Sequence, residues 1–315
     1  MITYYKKIEG TLVELQHAEH GCWINITPSF EKDELENFAT AHKIPLDFIT
    51  DSLDIDERSR YEKEDDVKLI LINSPIRNEG GTENEAFFIT HPIGIISTPD
   101  HIITVSSRDN MVMMKFINGK IKNWDPADDK GFVLKIFEYT VFDYLKCLKQ
   151  LNLKRNHIEK ELYDSSRNKE LKQLLAIEKS LVYFVNSLSA NDLLKMKMKR
   201  TDFLRIREDE DKSDLFEDII IDNGQALEMA NVYTNILNGT MEAYATIISN
   251  NLNMVISRLT LITIILMVPT LVASLYGMNV PLPFRDSQYS FYFIIIFSLV
   301  ISLLLAWFFR RIRLL

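Results

Sequence analysis

Apolar positions near the C-terminus follow no amphipathic period and form two uninterrupted runs. No charged residue occurs from Leu259 to Phe284 or from Ser287 to Phe309. Each run exceeds the roughly 18 apolar residues that indicate a spanning helix. A soluble surface helix would instead alternate an apolar face with a polar one. The pattern therefore predicts two transmembrane helices.

The segment YGMNVPLPFRDSQ, residues 276–288, contains one glycine and two prolines, which favour a loop over a helix and separate the two predicted spans. Basic residues mark the far end of the second run, at Arg310, Arg311 and Arg313, whereas the loop has only Arg285. Because basic residues are enriched on the cytoplasmic side of spanning helices, we expect the loop to face outward. The sequence thus predicts a multi-pass protein of the plasma membrane with both termini in the cytoplasm.

Before residue 131 the chain mixes short strand patterns with helices. Turns are predicted at Glu9-Gly10, Gly80-Gly81 and Pro99-Asp100, and a helix is predicted to start at Thr27-Pro28. This part reads as a mixed α/β domain. The predicted strands cover residues 11–16, 22–27, 67–74, 85–90, 93–98 and 101–107.

After Gly131 the apolar residues recur at helical spacing, and residues 132–207 contain neither glycine nor proline. The acidic run from Arg207 to Asp218 is interpreted as a turn or helix tip. One continuous helix is then predicted from about Leu215 to Leu275, with a length of roughly 90 Å at 1.5 Å per residue. A helix that long needs partners along its length, so we expect a bundle and an oligomer.

Charge separates the chain into two parts. Residues 251–315 have five arginines and one acid, for a net charge of +4, whereas residues 1–250 have 31 basic and 43 acidic residues, for a net charge of −12. The acidic body speaks against nucleic-acid binding, which usually requires a basic stripe. Two cysteines are too few for a disulfide framework, and the N-terminus shows no signal-peptide pattern.

Enzymatic chemistry has no support in the residue pattern. No phosphate-binding glycine-rich loop and no nucleophile–base arrangement stands out, so neither a nucleotide partner nor an enzyme is predicted. His17, His20 and Cys22 have a spacing that a metal could use, but we interpret them as surface and core residues because no fourth ligand is evident.

A polar seam runs along the first apolar run in steps of three and four residues. Such a seam is consistent with packing between transmembrane helices through hydroxyl groups. It is also consistent with a pore lined by hydroxyl and amide oxygens, with Ile256, Leu259 and Met267 as apolar constrictions that could gate by dewetting. The seam consists of Asn253, Ile256, Thr260, Thr263, Met267, Thr270 and Ser274.

The seam contains no carboxylate, so a cation using it would keep its own water or be solvated by neutral oxygens. Mg²⁺ suits the first case because it dehydrates reluctantly.

The motif Tyr276-Gly277-Met278-Asn279, between two C-terminal spans, resembles the CorA family of magnesium transporters. The segments Trp23–Thr27, 44–62 and 249–279 resemble the same family. The resemblance implies an α/β cytoplasmic domain followed by long stalk helices and two transmembrane α-helices, assembled as a funnel-shaped homopentamer. It divides the chain into an N-terminal domain (1–130), a helical stalk region (131–250), the pore-lining helix (251–275), the extracellular loop (276–288), the second span (289–309) and a basic tail (310–315).

The resemblance also implies the roles of individual residues. Gly277, Met278 and Asn279 would form the selectivity filter, where Asn279 amide oxygens receive hydrated Mg²⁺ and glycine lets the backbone turn without a Cβ penalty. Glu242 would lie at the cytoplasmic mouth. Asp51 and Asp218 would form an intersubunit site for regulatory Mg²⁺. The family's polar and gating positions in the pore would be Asn253, Thr260, Met267 and Thr270, with Leu259 as a further apolar ring. The seam pattern adds Ile256, Thr263 and Ser274 to the predicted pore lining.

The implied function is passive influx of Mg²⁺, closed by cytosolic Mg²⁺, with Co²⁺ as a second possible ion. Two alternatives stay open: the same architecture carrying Co²⁺, Ni²⁺ or Zn²⁺, and a membrane-anchored Mg²⁺ sensor that does not conduct. The loop departs from the family pattern, since its only acid, Asp286, lies beside Arg285. This weakens electrostatic capture of cations at the outer mouth.

Overall fold

The computed structural model describes residues 1–28, 32–79, 85–164, 168–280, 283 and 289–312. The chain divides into two compact units, Met1–Gly239 and Thr240–Leu315. The predicted Gly80-Gly81 turn, the Arg285–Asp286 pair and Arg313 all lie outside the described residues.

The first unit contains a seven-stranded sheet with the order β2-β1-β3-β7-β6-β5-β4. Neighbouring strands are antiparallel except β3 and β7, which are parallel. The strands are β1 Ile2–Ile8, β2 Thr11–Leu15, β3 Trp23–Ile26, β4 Arg60–Glu64, β5 Val67–Arg77, β6 Phe88–Ser97 and β7 Ile102–Val105.

Both faces of the sheet are covered. Along β5, Leu69 and Leu71 join one apolar cluster, whereas Ile70 and Ile72 join another on the opposite face. Side chains alternate between the faces of a strand, so a strand buried on both faces has a continuous apolar run rather than an alternating one. This explains the sequence LILI in β5.

Each predicted strand corresponds to a strand of the sheet, although two of them, 85–90 and 93–98, merge into β6 through Pro92. Strands β1 and β4 were missed because their sequences are rich in charged and tyrosine side chains. Glu9 and Gly10 both have positive φ, of 49° and 81°, as a two-residue hairpin turn requires. The predicted Glu9-Gly10 turn is therefore confirmed.

The helices are α1 Lys32–His42, α2 Leu46–Leu53, α3 Met111–Ile117, α4 Asp129–Asp164, α5 Asn168–Thr201, α6 Glu210–Tyr276 and α7 Ser290–Arg311. The helix predicted to start at Thr27-Pro28 is described from Lys32, and residues 29–31 lie outside the described part. Helix α6 begins five residues earlier than predicted, so most of the acidic run is helical rather than a turn. Glu210 and Asp211 lie in its first turn, where acidic side chains are favourable.

A lysine is fully buried in the first unit, between α5 and α6. Lys195 Nζ donates to Asn223 Oδ1 at 2.7 Å, and its ammonium lies 5.7 Å from the ring centroid of Phe137 on α4. Burial lowers the pKa of Lys195 to about 7, although Asp192 acts in the opposite direction. The lowering from 10.5 corresponds to a cost on the order of 5 kcal/mol, at about 1.4 kcal/mol per tenfold change in protonation.

We expect Lys195→Met to raise the midpoint of thermal unfolding of the detergent-solubilised protein near neutral pH. The variant removes the cost of burying an ammonium, and this exceeds the roughly 1–3 kcal/mol for leaving Asn223 Oδ1 without its donor. The unfolded state binds more protons than the folded state between about pH 7 and 10.5, so wild-type stability should rise with pH in that window. The variant should lack this rise. A destabilised variant with an unchanged pH profile would contradict the assignment.

The second unit contains the two helices that are long and apolar enough to cross a membrane, α6 from residue 240 onward and α7. Their most apolar 18-residue stretches have mean hydropathies of 2.2 and 2.6, yet only 6% and 11% of those stretches are buried. The core helix of a soluble protein would have its apolar residues buried. These helices therefore fit a bilayer, where lipid covers the exposed apolar side chains.

Candidate functional site on helix α6

Every seam residue lies on the exposed surface of α6. The apolar members are among the most exposed, with Ile256 at 52% and Met267 at 63%. Leu259, beside the seam, is also exposed. The seam therefore has no cover within the described part of the single chain.

Helix α7 packs against a different side of α6. Leu261 is buried, and Ile265, Val268 and Val272 are half-buried. At 3.6 residues per turn these four positions fall roughly opposite the seam. Packing against α7 thus does not account for the seam, which is available to other copies of the chain or to a water-filled path.

The contact between the two helices includes a polar contact to a backbone carbonyl that has no donor within α6. Pro269 lies inside α6 and has no N–H, so the carbonyl oxygen of Ile265 lacks its usual helical donor. Ser302 Oγ of α7 lies 3.3 Å from that oxygen and 3.0 Å from Ser298 O of its own helix, so these two carbonyls share its single proton. An unsatisfied carbonyl costs several kcal/mol in lipid. Ser302 therefore gives Ile265 O a hydrogen-bond partner within α7 for part of the time.

The threonine hydroxyls of the seam all donate back into their own helix. Thr260 Oγ1 donates to Ile256 O at 2.9 Å, and Thr263 Oγ1 donates to Leu259 O at 2.8 Å. Thr270 Oγ1 donates to Met267 O at 2.8 Å. With the proton used in this way, the hydroxyl oxygen keeps its lone pairs as acceptors. The seam can therefore accept hydrogen bonds from the water shell of a cation, whose protons point outward.

Gly277 follows directly after the last residue of α6. Its N–H bonds to Ala273 O at 3.0 Å, and a Cβ placed there would lie 3.4 Å from both Ala273 O and Ser274 O. Among the described glycines, the positive φ values belong to Gly10, Gly21 and Gly119. A side chain at 277 would thus meet the last helical carbonyls at about ordinary contact distance, so neither a clash nor a left-handed backbone requires glycine here, and the predicted Cβ penalty is not seen.

The other two residues of the motif are accessible. Met278 N–H bonds to Leu275 O at 3.2 Å, which extends the helix end by one more bond. Asn279 is exposed. Tyr276 Oη donates to Pro283 O at 3.3 Å, which ties the end of α6 to the loop beyond the motif.

The carboxylates predicted to bind or attract cations are spread over the chain. Glu242 and Asp218 are exposed on α6, and Asp51 is half-buried on α2. Asp51 Oδ2 accepts from Arg60 at 2.7 Å, and Arg60 also pairs with Glu57 and Glu62. Among the residues that the structure describes, no group of three or more His, Cys, Asp or Glu side chains is arranged to hold a metal ion. Any site that uses Asp51 must therefore displace or share Arg60.

Sequence reasoning missed Arg60 and Ser302. Pro269 was visible in the sequence as a position where a helical carbonyl loses its donor, so a partner for Ile265 O could have been sought. Nothing in the spacing identified Ser302 as that partner. Nothing in the sequence indicated that Arg60 pairs with Asp51, since a single arginine in a charged segment is usually solvated.

The fold and the seam define a class of membrane protein with two spanning helices and a large N-terminal α/β unit. Comparison with known proteins identifies the family. The profile of the CorA-like Mg²⁺ transporter protein family matches residues 18–311. This chain therefore belongs to that family, whose members are ion transporters and not enzymes, as the sequence predicted.

Individual relatives match this chain over between 78% and 99% of its length. The cobalt/magnesium transport protein CorA of Methanocaldococcus jannaschii is 27% identical, over 96% of this chain and 95% of the relative. The magnesium transport protein CorA of Helicobacter pylori strain J99 is 24% identical, over 78% and 77%. The complete structure of the M. jannaschii CorA magnesium transporter superposes with a TM-score of 0.82 at 23% identity, covering 99% of this chain and 98% of that one. The predicted α/β domain, long helices and C-terminal apolar helix are thus confirmed, whereas the homopentamer stays a prediction.

Proposed function

We propose that this protein conducts Mg²⁺, and also Co²⁺, passively across the membrane along the seam of α6. The observation that carries the proposal is an uncovered line of acceptor oxygens that ends, at the C-terminal end of α6, next to Asn279. The proposal is supported by the family and by the relatives named for cobalt and magnesium transport. It assumes a homopentamer, in which five seams surround one path and the basic C-terminal end lies in the cytoplasm.

In this proposal the hydrated ion meets the Gly277, Met278 and Asn279 ring first. Amide oxygens of Asn279 accept hydrogen bonds from the water shell, and the threonine rings of the seam repeat this deeper in the membrane. Ile256, Leu259 and Met267 narrow the path with apolar side chains, which can close it by dewetting. Glu242 attracts the cation at the cytoplasmic mouth.

No chemical fuel is required for influx. A membrane potential of −100 mV inside contributes about 4.6 kcal/mol to a doubly charged ion moving inward. Transport then follows the electrochemical gradient, and the protein has only to supply the path and its gate.

Flux into dye-loaded proteoliposomes tests this function directly. We expect purified protein to admit Mg²⁺ faster than empty liposomes, with Co²⁺ competing. Stronger competition by Ni²⁺ or Zn²⁺ would favour a different physiological ion on the same architecture. If correctly inserted protein admits no divalent cation, transport is excluded and the Mg²⁺ sensor becomes the better explanation.

We further propose that cytosolic Mg²⁺ closes the path by bridging Asp51 and Asp218 of neighbouring subunits. A ligand shifts a conformational equilibrium only through its differential affinity for the two states. Arg60 already neutralises part of the charge of Asp51, since it lies 2.7 Å away. Mg²⁺ therefore has to compete with the Arg60 guanidinium for Asp51. Because of this competition, the path closes only at high Mg²⁺.

We expect Asp218→Asn to weaken inhibition of flux by Mg²⁺ on the cytoplasmic side, because the bridging carboxylate is lost. The measurement is the initial rate of uptake at increasing preloaded Mg²⁺. Glu217→Gln is the matched control: Glu217 is also exposed on α6, but it pairs with Lys199 at 3.1 Å. Equal inhibition curves for Asp218→Asn and the wild type would argue against this regulatory site.

A further inference from the structure

One asparagine of α6 connects that helix to α5 at three points. Asn223 is fully buried, and its Nδ2 donates to Leu188 O at 3.1 Å and to Asp192 Oδ1 at 3.3 Å. Its Oδ1 accepts from Lys195 Nζ at 2.7 Å. Both amide protons and the amide oxygen are therefore used between the two helices, and the connection depends on the hydrogen-bonding role of each partner.

The partner whose role can change is Lys195. Its side chain is fully buried, and within the described part of the chain Asn223 Oδ1 is the only oxygen that accepts from Nζ. A neutral amine has two N–H donors, whereas an ammonium has three and carries a charge. Protonation thus adds a charge and an unpaired donor where water is excluded, which is costly. The ring of Phe137, at 5.7 Å, compensates for only a small part of this cost.

One negative charge acts on the ammonium. Asp192, on α5 itself, raises the pKa of Lys195, but burial lowers it by more. The elements around this part of α5 supply no second free carboxylate among the described residues, because the three glutamates below each pair with a cation and the aspartate is exposed. The charged and titratable groups of these elements are Glu138 on α4, Glu62 on β4, Lys68 on β5, His91 on β6, and Glu217 and Asp222 on α6.

We propose that Lys195 and Asn223 form a proton-dependent latch, which holds α5 to α6 while the lysine amine is neutral and releases the two helices when it is protonated. The latch acts on the same helix that carries the seam. Its effect on transport rests on the proposed function, whereas the latch itself does not.

The pH range in which the latch responds follows from the two states of Lys195. Burial lowers the pKa of Lys195 to about 7, and the pKa returns towards 10.5 when the helices separate and water reaches the amine. The open form therefore binds more protons than the closed form between these two values. The equilibrium constant for opening should rise about tenfold for each unit by which the pH falls in this range, and it should level off below about pH 7.

Hydrogen exchange of the full-length protein tests the latch. After correction for the intrinsic effect of pH on amide exchange, we expect the opening constant of residues 185–198 and 216–230 to be about tenfold larger at about pH 7 than at about pH 8.5. Lys195→Met should remove this difference, and Lys197→Met should keep it, since Lys197 is an exposed lysine of the same helix. Equal opening constants at the two pH values in the wild type, or a difference that survives in Lys195→Met, would overturn the proposal.

Asp192→Asn tests the role of the proton even if Lys195→Met does not fold. Asparagine keeps an Oδ1 acceptor for Asn223 Nδ2 but removes the negative charge that raises the pKa of Lys195. That pKa should then fall further, so the opening constant should go on rising below about pH 7 instead of levelling off. Circular dichroism reports whether the variant is folded. A folded Asp192→Asn protein that levels off at the same pH as the wild type would refute the latch.

Uptake of Mg²⁺ into proteoliposomes tests whether the latch acts on transport. A latch that holds α6 opposes its movement, so we expect wild-type uptake to be several-fold faster at about pH 7 than at about pH 8.5. Uptake by Lys195→Met should be equal at the two pH values. Absence of any divalent-cation uptake would refute the proposed function and leave the exchange result intact. An equal pH dependence of uptake in the variant and the wild type would refute control of transport by the latch.

Discussion

Replacing Asn279 by alanine is expected to reduce Mg²⁺ flux by at least about a hundredfold. In the proposed pentamer the substitution removes five amide oxygens that accept hydrogen bonds from the water shell of the ion. Each such bond contributes about 1 kcal/mol, and about 1.4 kcal/mol changes a rate or an equilibrium tenfold. The free energy lost with five such bonds therefore exceeds the two steps of about 1.4 kcal/mol that correspond to a hundredfold loss of flux.

The measurement is initial Mg²⁺ uptake by proteoliposomes at matched protein density. Asn251→Ala is the control, because Asn251 is also an exposed asparagine of α6 but lies away from the seam. Size-exclusion chromatography should show that both variants assemble as the wild type does. Flux through Asn279→Ala equal to that of the control would show that the ring does not select the ion.

Introducing phenylalanine into the seam is expected to block conduction. Thr263 lies on the seam, and its hydroxyl is one of the proposed acceptors. In a pentamer, Thr263→Phe would place five rings in the path, remove the acceptors and favour dewetting. We expect uptake to fall by about tenfold or more, which corresponds to a barrier increase of about 1.4 kcal/mol.

Ile262→Phe provides a matched comparison in the same assay. Ile262 is the adjacent residue and is also exposed, but it points about 100° away from Thr263 around the helix. It should face lipid or another helix, where a larger apolar side chain is tolerated. If the two variants lose flux equally, the seam acts in helix packing, as the alternative interpretation holds. If neither affects the function of the protein, the spans serve only as an anchor.

The sequence alone predicted the elements whose signal is local. Every residue of a spanning helix lies in the same apolar solvent, the lipid hydrocarbon. An apolar run of sufficient length is therefore enough to predict such a helix. The continuous helix α6 follows from the same reasoning, since few glycines and prolines interrupt its helical pattern. The motif at Gly277–Asn279 and the segments around it were sufficient to indicate the family.

Where the signal is not local, the sequence predictions were incomplete. The charged side chains of β4 and the lysines and tyrosines of β1 gave no alternating apolar pattern, and the pairing with β5 and β3 makes them strands. The start of α6 was also placed too late, because an acidic segment can form a helix tip or the first turn of a helix. Roles of the seam, Glu242, Asp51 and Asp218 stay predictions, since they concern neighbouring subunits.

The sequence by itself determined which segments are apolar and long enough to cross a membrane, most of the sheet and the long helix α6, and which polar residues share one face of that helix. Only the tertiary structure decided which distant groups meet: Ser302 with the carbonyl freed by Pro269, Arg60 with Asp51, and Cys22 with His101. The physical reason is the range of the interactions. Apolar runs and helical spacing are patterns of residues that are close in the chain. A hydrogen bond or an ion pair between distant residues depends instead on where the fold places the second partner.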